Sequence, residues 1–342
     1  MSAALRVRAL EPGDRARWDA YVRAQPGSHF GQLAAWKDVV EGTYGCRARY
    51  WLAEEEGRVR GVLPLFEKRG RTAALFSAPG GLLADAPGVA DALLAPAREQ
   101  VARARLAYLE LRDQRAAWPG LETSGEHVTL MLDLASDAEA QWKTFNAKLR
   151  NQVRKAQKSG FTARWGRAHV PDFHRVLLEN MRDLGTPIRA PSYYRAVLEA
   201  FGEAADILVI DRAGEPAGAM FTIAHAGTLA DPWASSLRRH FAHCPNHMLY
   251  WEAIRRAITL GMRRFDFGRS QWDSNTFRFK EQWGAQPVPL HYQYVLGRAR
   301  RVPTLAEQKH AFDLAVRIWK RLPLPVARVL GEPAKRLFPE AL

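Results

Sequence analysis

The apolar positions of the chain fall into two stretches that predict the same order of helices and strands. Apolar residues at every third or fourth position predict helices, and short alternating or continuous apolar runs predict strands. The first stretch predicts helices at 13–24 and 32–43, strands at 50–57 and 59–68, a helix at 88–104, and strands at 107–112 and 127–134. Gly57 joins the first two strands, and Pro64 within the second indicates an edge strand or a bulge.

The second stretch repeats this order and ends in a tail. It predicts helices within 137–159, a strand at 161–165, helices at 171–185 and 192–201, a hairpin over 205–225, a strand at 228–236, a helix at 247–260, a strand at 263–268, a helix at 275–283 and a last strand at 289–297. The segment DRAGE between two apolar runs marks the hairpin turn. The tail starts at Pro303, and its segment TLAE is a capping-box pattern that opens a helix.

The repeated order predicts two domains, because 342 residues exceed what one ordinary core of about 150 residues accommodates. A meander of strands, then helix, strand, helix and a last strand, is the order of elements in a GNAT acyltransferase domain. We therefore expect the α/β (α+β) class, with tandem GNAT-like domains at 1–135 and 136–300. Residues 301–342 are expected to form a basic helical tail, either packed on the body or docked on an anionic membrane surface.

The excess of basic residues indicates which kinds of molecule the protein binds. Lys and Arg number 50 against 36 for Asp and Glu, a net charge of +14. Such an excess attracts polyanions such as tRNA, nucleotide-linked precursors or anionic membranes, although an Arg-rich solvated surface would have the same composition. No apolar run is long enough to span a bilayer, and the first residues lack the apolar core of a signal peptide. We expect a cytoplasmic protein, peripheral to the inner membrane if the tail docks there, with Cys46 and Cys244 as free thiols.

The basic charge is concentrated on one predicted helix. No acidic residue occurs between Ala140 and Pro171, where eight basic residues occur. On a helix over 142–158, one arc carries Trp142, Phe145, Leu149, Val153 and Ala156, and the opposite arc carries Lys143, Arg150, Arg154 and Lys158. A solvated helix would usually mix both signs of charge. The pattern therefore favours a phosphate-binding face over a merely solvated one.

The richest cluster of candidate chemistry lies at 246–292. Asn246 is placed to cap the helix at 247–260, and Gly261 is placed to end it. In the following strand Asp266 stands between two phenylalanines, so it needs a partner, for which Arg263 and Arg269 are candidates. On the helix at 275–283, the i,i+4 spacing predicts that Phe279 and Trp283 face the core while Lys280 turns away from it.

Several segments of the chain resemble the FemAB peptidyltransferases, and more closely the FemAB-like proteins of PEP-CTERM/exosortase exopolysaccharide clusters. The resemblance covers roughly residues 5–297. The segments that carry it are LYWEAIRRAITLG, FDFGRS, FRFKEQWGA, HFGQLAAWKDVV, GVLPL, YLELR and LRNQVRKAQKSGF.

This resemblance implies transfer of an aminoacyl group from charged tRNA to an amine of a cell-envelope precursor. It identifies Lys280, within FRFKEQWGA, as the residue that steadies the oxyanion or a terminal phosphate. Arg269 is the second catalytic candidate, as a clamp on a carboxylate or phosphate, and no dedicated protein base is expected. The candidate substrate-binding residues are Trp36, Arg150, Asn151, Arg154, Tyr250, Ser270 and Phe279.

The class of donor stays open at this point. The acyl-CoA loop pattern of GNAT enzymes is replaced by RRHFAHCPNHM, which argues against acetyl-CoA, whereas the absence of a coiled-coil arm argues against tRNA. No cofactor is expected, with aminoacyl-tRNA or acyl-CoA as the donor and a phosphate-bearing or lipid-linked molecule as the substrate. The alternatives are a CoA-dependent N-acyltransferase and a non-enzymatic binding protein of a polysaccharide export cluster. Three histidines at 240, 243 and 247 lack a second ligand cluster, so no metal site is predicted.

Overall fold

The computed structural model describes residues 4–68, 73–114, 117–302 and 313–337. Contacts divide the chain into two compact units. The first comprises Met1–Val128 and Val288–Thr304, and the second comprises Thr129–Pro287 and Leu305–Ala341. Both are mixed α/β structures, as the sequence pattern predicts.

The first unit is a sheet with helices on it. Its elements are β1 (Arg6–Ala9), α1 (Arg15–Ala24), α2 (Ala34–Tyr44), β2 (Arg47–Glu55), β3 (Arg58–Lys68), β4 (Ala74–Ser77), β5 (Leu83–Ala84), α3 (Pro87–Arg103) and β6 (Tyr108–Asp113). The main strand order is β1-β2-β3-β4-β6, with β4 and β6 parallel and the other neighbours antiparallel. Alternate apolar residues of β3, β4 and β6 form a core with α3.

The position of Pro64 corrects the expectation of an edge or a bulge. Strand β3 is central, and its register with β2 continues through the pair Tyr50–Pro64. On its other side, pairing with β5 ends at Val62 and pairing with β4 starts at Leu65. Pro64 therefore falls in a gap between two short partner strands, where a missing N–H interrupts no ladder.

Two long strands carry the chain between the units. Strand β7 (Glu122–Asp133) begins in the first unit and ends in the second. The last strand, β13 (Gln286–Leu296), returns to the first unit, where it pairs antiparallel with β6 from His291–Asp113 to Leu296–Tyr108. Strand β13 thus follows the helices of the second unit in sequence and is hydrogen-bonded to a strand of the first unit.

The second unit is also a sheet with helices on it, and five of its strands lie side by side. Its elements are α4 (Ala138–Thr144), α5 (Ala147–Lys158), β8 (Phe161–Trp165), α6 (Val170–Leu184), α7 (Pro191–Phe201), β9 (Ala205–Arg212), β10 (Glu215–His225), β11 (Thr228–Ser236), α8 (Pro245–Thr259), β12 (Arg264–Gln271) and α9 (Asn275–Glu281). The strand order is β12-β11-β10-β9-β8. Only the β11–β12 pair is parallel among these neighbours.

Helix boundaries differ from the predicted ones at two caps. The helix predicted over 142–158 breaks at Phe145, and the Asn146 side chain caps α5 by accepting from the Leu149 N–H at 2.8 Å. Asn246 does not cap α8, which starts one residue earlier, and its side chain instead accepts a hydrogen bond from the Ser236 hydroxyl. Gly261 follows the end of α8 with φ of 69°, as predicted.

The tail packs on the second unit. Residues 313–319 are helical, and a C-terminal helix spans Leu324–Leu337. The carboxylate of Glu332 lies 3.0 Å from the buried Arg189 guanidinium and also accepts from the Ala190 N–H. The predicted capping box at 304–307 lies outside the described residues. None of the helices that the structure describes is long and apolar enough to cross a membrane.

Candidate active site

The candidate active site begins where the two parallel strands of the second unit stop pairing. Strands β11 and β12 pair at only three positions, the last being Ala230–Asp266. On the other side of β11, Phe221 and Ile223 of β10 pair with Trp233 and Ala230 of β11. These residues are two apart on β10 but three apart on β11, so β11 has one extra residue there, which is a β-bulge. Such a bulge redirects side chains, and ligand sites of open sheets lie beyond the carboxyl ends of parallel strands.

The bulge places Asp231 in a buried setting. Its side chain is 5% exposed, and its Oδ2 accepts from the Tyr250 hydroxyl at 2.7 Å. Its Oδ1 is buried and has no hydrogen-bond partner among the described residues. Burial raises the pKa of Asp231 to about 8, against the opposing attraction of Lys280. Sequence reasoning missed this residue, because ADPWASS shows only a strand pattern and the bulge depends on pairing with β10.

Gly268 of β12 lies against the Asp231 backbone where the two strands diverge. It has φ of 71°, and a Cβ atom there would lie 2.7 Å from the Asp231 carbonyl oxygen. The buried Asp266 supports this turn, since its Oδ1 accepts from the Gly268 N–H at 2.8 Å and from the Thr129 hydroxyl at 2.5 Å. These contacts, rather than the predicted Arg263 or Arg269, hold the Asp266 carboxyl group, and burial raises its pKa.

The Lys280 side chain points to the region where β11 and β12 diverge. Ser274 caps the short helix α9, and Phe277, Lys280 and Trp283 turn inward, so the expectation that Lys280 faces away from the core is wrong. Its Nζ donates to the carbonyl oxygens of Gly268 at 2.7 Å and Arg269 at 3.2 Å. These bonds use two of the three donors of an ammonium group.

The charge state of Lys280 is set by its surroundings. Burial lowers its pKa to about 8, while the carboxyl groups of Asp231 and Asp266 oppose that shift. Neither carboxylate lies within 4 Å of Nζ, so the ammonium group is influenced by two acids without forming a direct ion pair with either. Lys280 and Asp231 therefore titrate as a linked pair rather than independently.

Aromatic rings surround the polar cluster. Tyr250 stacks on Phe267 at 5.2 Å and meets Phe279 edge-on at 5.3 Å. His247 meets Phe279 at 5.4 Å, and burial lowers the pKa of His247 to about 4, so its ring is neutral near pH 7. An apolar wall of this kind excludes water and strengthens the electrostatic interactions inside it.

The structure brings several predicted site residues together. Lys280, Tyr250, Ser270 and Phe279 lie on α8, β12 and α9 around the divergence, with Arg269 between Gly268 and Ser270. Ser270 is buried, and its Oγ has no hydrogen-bond partner in the described part of the chain. The side chain of Arg269 is exposed. Trp36 belongs to the first unit, where it is buried on α2 against Phe30.

The predicted basic face is present on α5. Leu149, Val153 and Ala156 are buried, and α5 packs on α8, the helix that carries Tyr250. The basic residues of α5 are Lys148, Arg150, Arg154, Lys155 and Lys158. Across the described ranges, no carboxylate lies within 4 Å of any of them. By contrast, three neighbouring basic residues are paired: Lys143 with Glu139, Arg164 with Asp172 and Asp211, and Arg167 with Glu203.

Arg150, Asn151 and Arg154 therefore lie on an uncompensated cationic helix. Arg154 is exposed, its guanidinium stands 5.5 Å from the Trp142 ring centroid, and it donates weakly to Asn151 at 3.5 Å.

The described residues contain no group of three His, Cys, Asp or Glu side chains that could hold a metal ion.

Comparison with known proteins bears on the fold of the chain. Residues 143–281 match the family model of the acetyltransferase (GNAT) domain. Among solved structures, FemX matches with a TM-score of 0.70 and 14% identity over 91% of this chain and 100% of that chain. A tandem GNAT protein from the clavulanic acid biosynthesis pathway matches with a TM-score of 0.57 and 14% identity over 87% and 100% of the chains. L-PGS from Bacillus licheniformis matches with a TM-score of 0.51 and 13% identity over 84% of this chain and 96% of that chain. No curated protein matches the sequence.

These matches show the fold of the chain. The chain has the tandem GNAT fold predicted from its repeated pattern, and residues 143–281 of its second unit match the model of a GNAT acetyltransferase domain. The buried cluster of Asp231, Tyr250, Asp266 and Lys280 lies inside the matched segment.

Proposed function

We propose that the protein is an acyl- or aminoacyl-transferase that acts on an amine of a cell-envelope or exopolysaccharide precursor. The single observation that carries the proposal is the buried, charged Lys280 at the divergence of two parallel strands within a GNAT-type domain. A buried cation that retains a spare donor is suited to an oxygen that becomes negative during reaction.

The reaction proceeds by aminolysis of an ester or thioester. The amine nitrogen attacks the carbonyl carbon, a C–N bond forms, and the carbonyl electron pair moves onto the oxygen. Lys280 stabilises that oxyanion or a nearby donor phosphate, and the attraction of Asp231 and Asp266 opposes the loss of its charge that burial favours. When the intermediate collapses, the C–O or C–S bond breaks, the leaving group takes a proton, and the amine loses one to the substrate or to water.

The remaining candidates hold the substrates. Arg269, exposed beside Ser270 on β12, clamps a carboxylate or phosphate of one substrate. Arg150, Asn151 and Arg154 of α5 contact donor phosphates, and Tyr250 and Phe279 line the apolar wall near the reacting group. Trp36 stays a prediction from the sequence, since it is buried on α2 of the first unit.

Two features bear on the donor, and they favour an aminoacyl ester over acyl-CoA. The loop before α8 is a 3₁₀ segment, Arg238–His243, without the glycines of an acyl-CoA loop, and the uncompensated cations of α5 suit a polyanion such as tRNA. Acyl-CoA is the second candidate, favoured by the acetyltransferase family match over 143–281.

The test is direct transfer with both donors. The purified protein is incubated with aminoacyl-tRNA or acetyl-CoA and a panel of amines that includes amino sugars and nucleotide-linked peptides with a free side-chain amine. Mass spectrometry then detects the acylated product. We expect transfer from aminoacyl-tRNA to at least one acceptor. Transfer from acetyl-CoA alone would assign the second candidate, and no transfer with either donor would favour the non-enzymatic binding protein.

A further inference from the structure

An apolar surface formed mainly by the tail is exposed on the second unit. The part of the chain that the structure describes has nine large apolar side chains that are 40% to 71% exposed. Five of them lie within residues 313–337, and a sixth, Leu184, ends α6 beside the tail. We call these six side chains the tail patch: Leu184, Leu314, Ile318, Val326, Val329 and Leu330.

The tail patch is held in place by the opposite faces of the same helices. Trp319 and Ala327 are buried. A Cβ atom on Gly185 would lie 2.5 Å from Val316 Cγ1, and one on Gly331 would lie 2.8 Å from the Ile188 carbonyl oxygen, so the tail backbone contacts the body closely. The outward residues are therefore displayed by packed helices and not by a loose terminus.

The spacing of the patch is helical. Leu314 and Ile318 are four residues apart on one helix, and Val326, Val329 and Leu330 follow at three and four residues on the next. Residues at these separations share one face. Both tail helices therefore carry apolar residues on the face turned to solvent as well as on the buried face.

The same surface is basic. Arg317, Lys320, Arg321 and Arg328 are exposed, and no carboxylate among the described residues lies within 4 Å of them. The carboxylate of Glu332 is instead bound to Arg189 on the body. An exposed apolar row flanked by unpaired cations matches the interface of an anionic bilayer, in which acyl chains lie below negative headgroups.

We propose that the tail patch docks the protein on the surface of an anionic lipid bilayer. The apolar side chains enter the boundary between headgroups and acyl chains, and the four cations contact the headgroups. This inference stands on the tail alone and does not depend on the proposed transfer activity.

The test uses the full chain and vesicles of phosphatidylcholine, with and without phosphatidylglycerol. Wild-type protein is expected to float with the mixed vesicles and to bind pure phosphatidylcholine much more weakly. One variant carries Arg317→Glu with Arg321→Glu, and a second carries Leu314→Ser with Ile318→Ser. Since one cation near an anionic surface contributes about fivefold in affinity, the charge variant should bind at least about 25-fold more weakly. The apolar variant should lose binding to both kinds of vesicle.

Two control variants each place one change of the same kind elsewhere on the surface. Arg103→Glu and Leu260→Ser alter an exposed arginine and an exposed leucine outside the tail, and both variants should bind as the wild type does. Equal binding to both vesicle types, or unchanged binding of both tail variants, would overturn the proposal. So would a wild-type dimer in sedimentation velocity that the tail variants convert to monomer while vesicle binding is absent, because the patch would then join two copies of the chain.

Discussion

Replacing Lys280 with methionine is expected to slow transfer by about 100- to 1000-fold while the protein remains folded. Methionine keeps most of the buried volume but removes the charge and the two hydrogen bonds to the Gly268 and Arg269 carbonyls. Loss of a single group that stabilises an oxyanion has an effect of this size. The measurement is single-turnover transfer, with the melting temperature recorded on the same preparation.

A second substitution separates charge from packing at this position. Lys280→Gln retains a donor for the two carbonyls but carries no charge, so it should be nearly as slow as Lys280→Met and better folded. Arg278→Ala, on the exposed side of the same helix, is the matched control and should transfer at the normal rate. Full activity of a folded Lys280→Gln variant would remove the charge of Lys280 from the mechanism.

Reversing two charges on α5 is expected to weaken donor binding by about ten- to a hundredfold. Arg150→Glu with Arg154→Glu removes two of the unpaired cations of that helix. Each lost phosphate contact should also reduce the slope of log affinity against log salt by about 0.7 to 0.9. Filter binding of tRNA across a range of salt concentrations measures both effects.

The control for this experiment applies the same change in net charge to the first unit. Arg47→Glu with Arg103→Glu alters two exposed arginines that have no ion pair in the described structure, and it should shift affinity far less than the α5 variant. If the two double variants behave alike, only the overall charge of +14 matters and α5 is an ordinary solvated helix.

Local patterns predicted most of the secondary structure. The strands predicted at 161–165 and 228–236 have those bounds in the structure, and the hairpin of β9 and β10 occupies the predicted range. These elements are determined by short-range periodicity and turn residues, which one sequence displays. The pairing of β13 with β6 could not be predicted in this way, because pairing between strands distant in sequence leaves no local signal.

The candidate site was predictable only in part, for the same reason. The motif FRFKEQWGA pointed to Lys280, but the i,i+4 spacing of Phe279 and Trp283 suggested a different inward face. The short helix α9 turns Phe277 and Lys280 inward instead, because carbonyls of β12 accept hydrogen bonds from the lysine. Asp231 had no motif at all, and its importance arises from a bulge and from Tyr250 on another element.

The central claim is that the linked pair of Asp231 and Lys280 controls the chemistry, and the pH dependence of transfer tests it most directly. Transfer requires the charged form of Lys280, and burial lowers the pKa of this lysine, so the wild-type rate should fall at a pH below the ordinary lysine pKa of 10.5. The Asp231 carboxylate is the largest influence that raises this pKa, and Asp231→Asn removes it. The falling limb of the Asp231→Asn profile should therefore lie at lower pH than that of the wild type. Identical falling limbs in the two proteins, or a wild-type rate that stays constant up to the ordinary pKa of lysine near 10.5, would contradict the account.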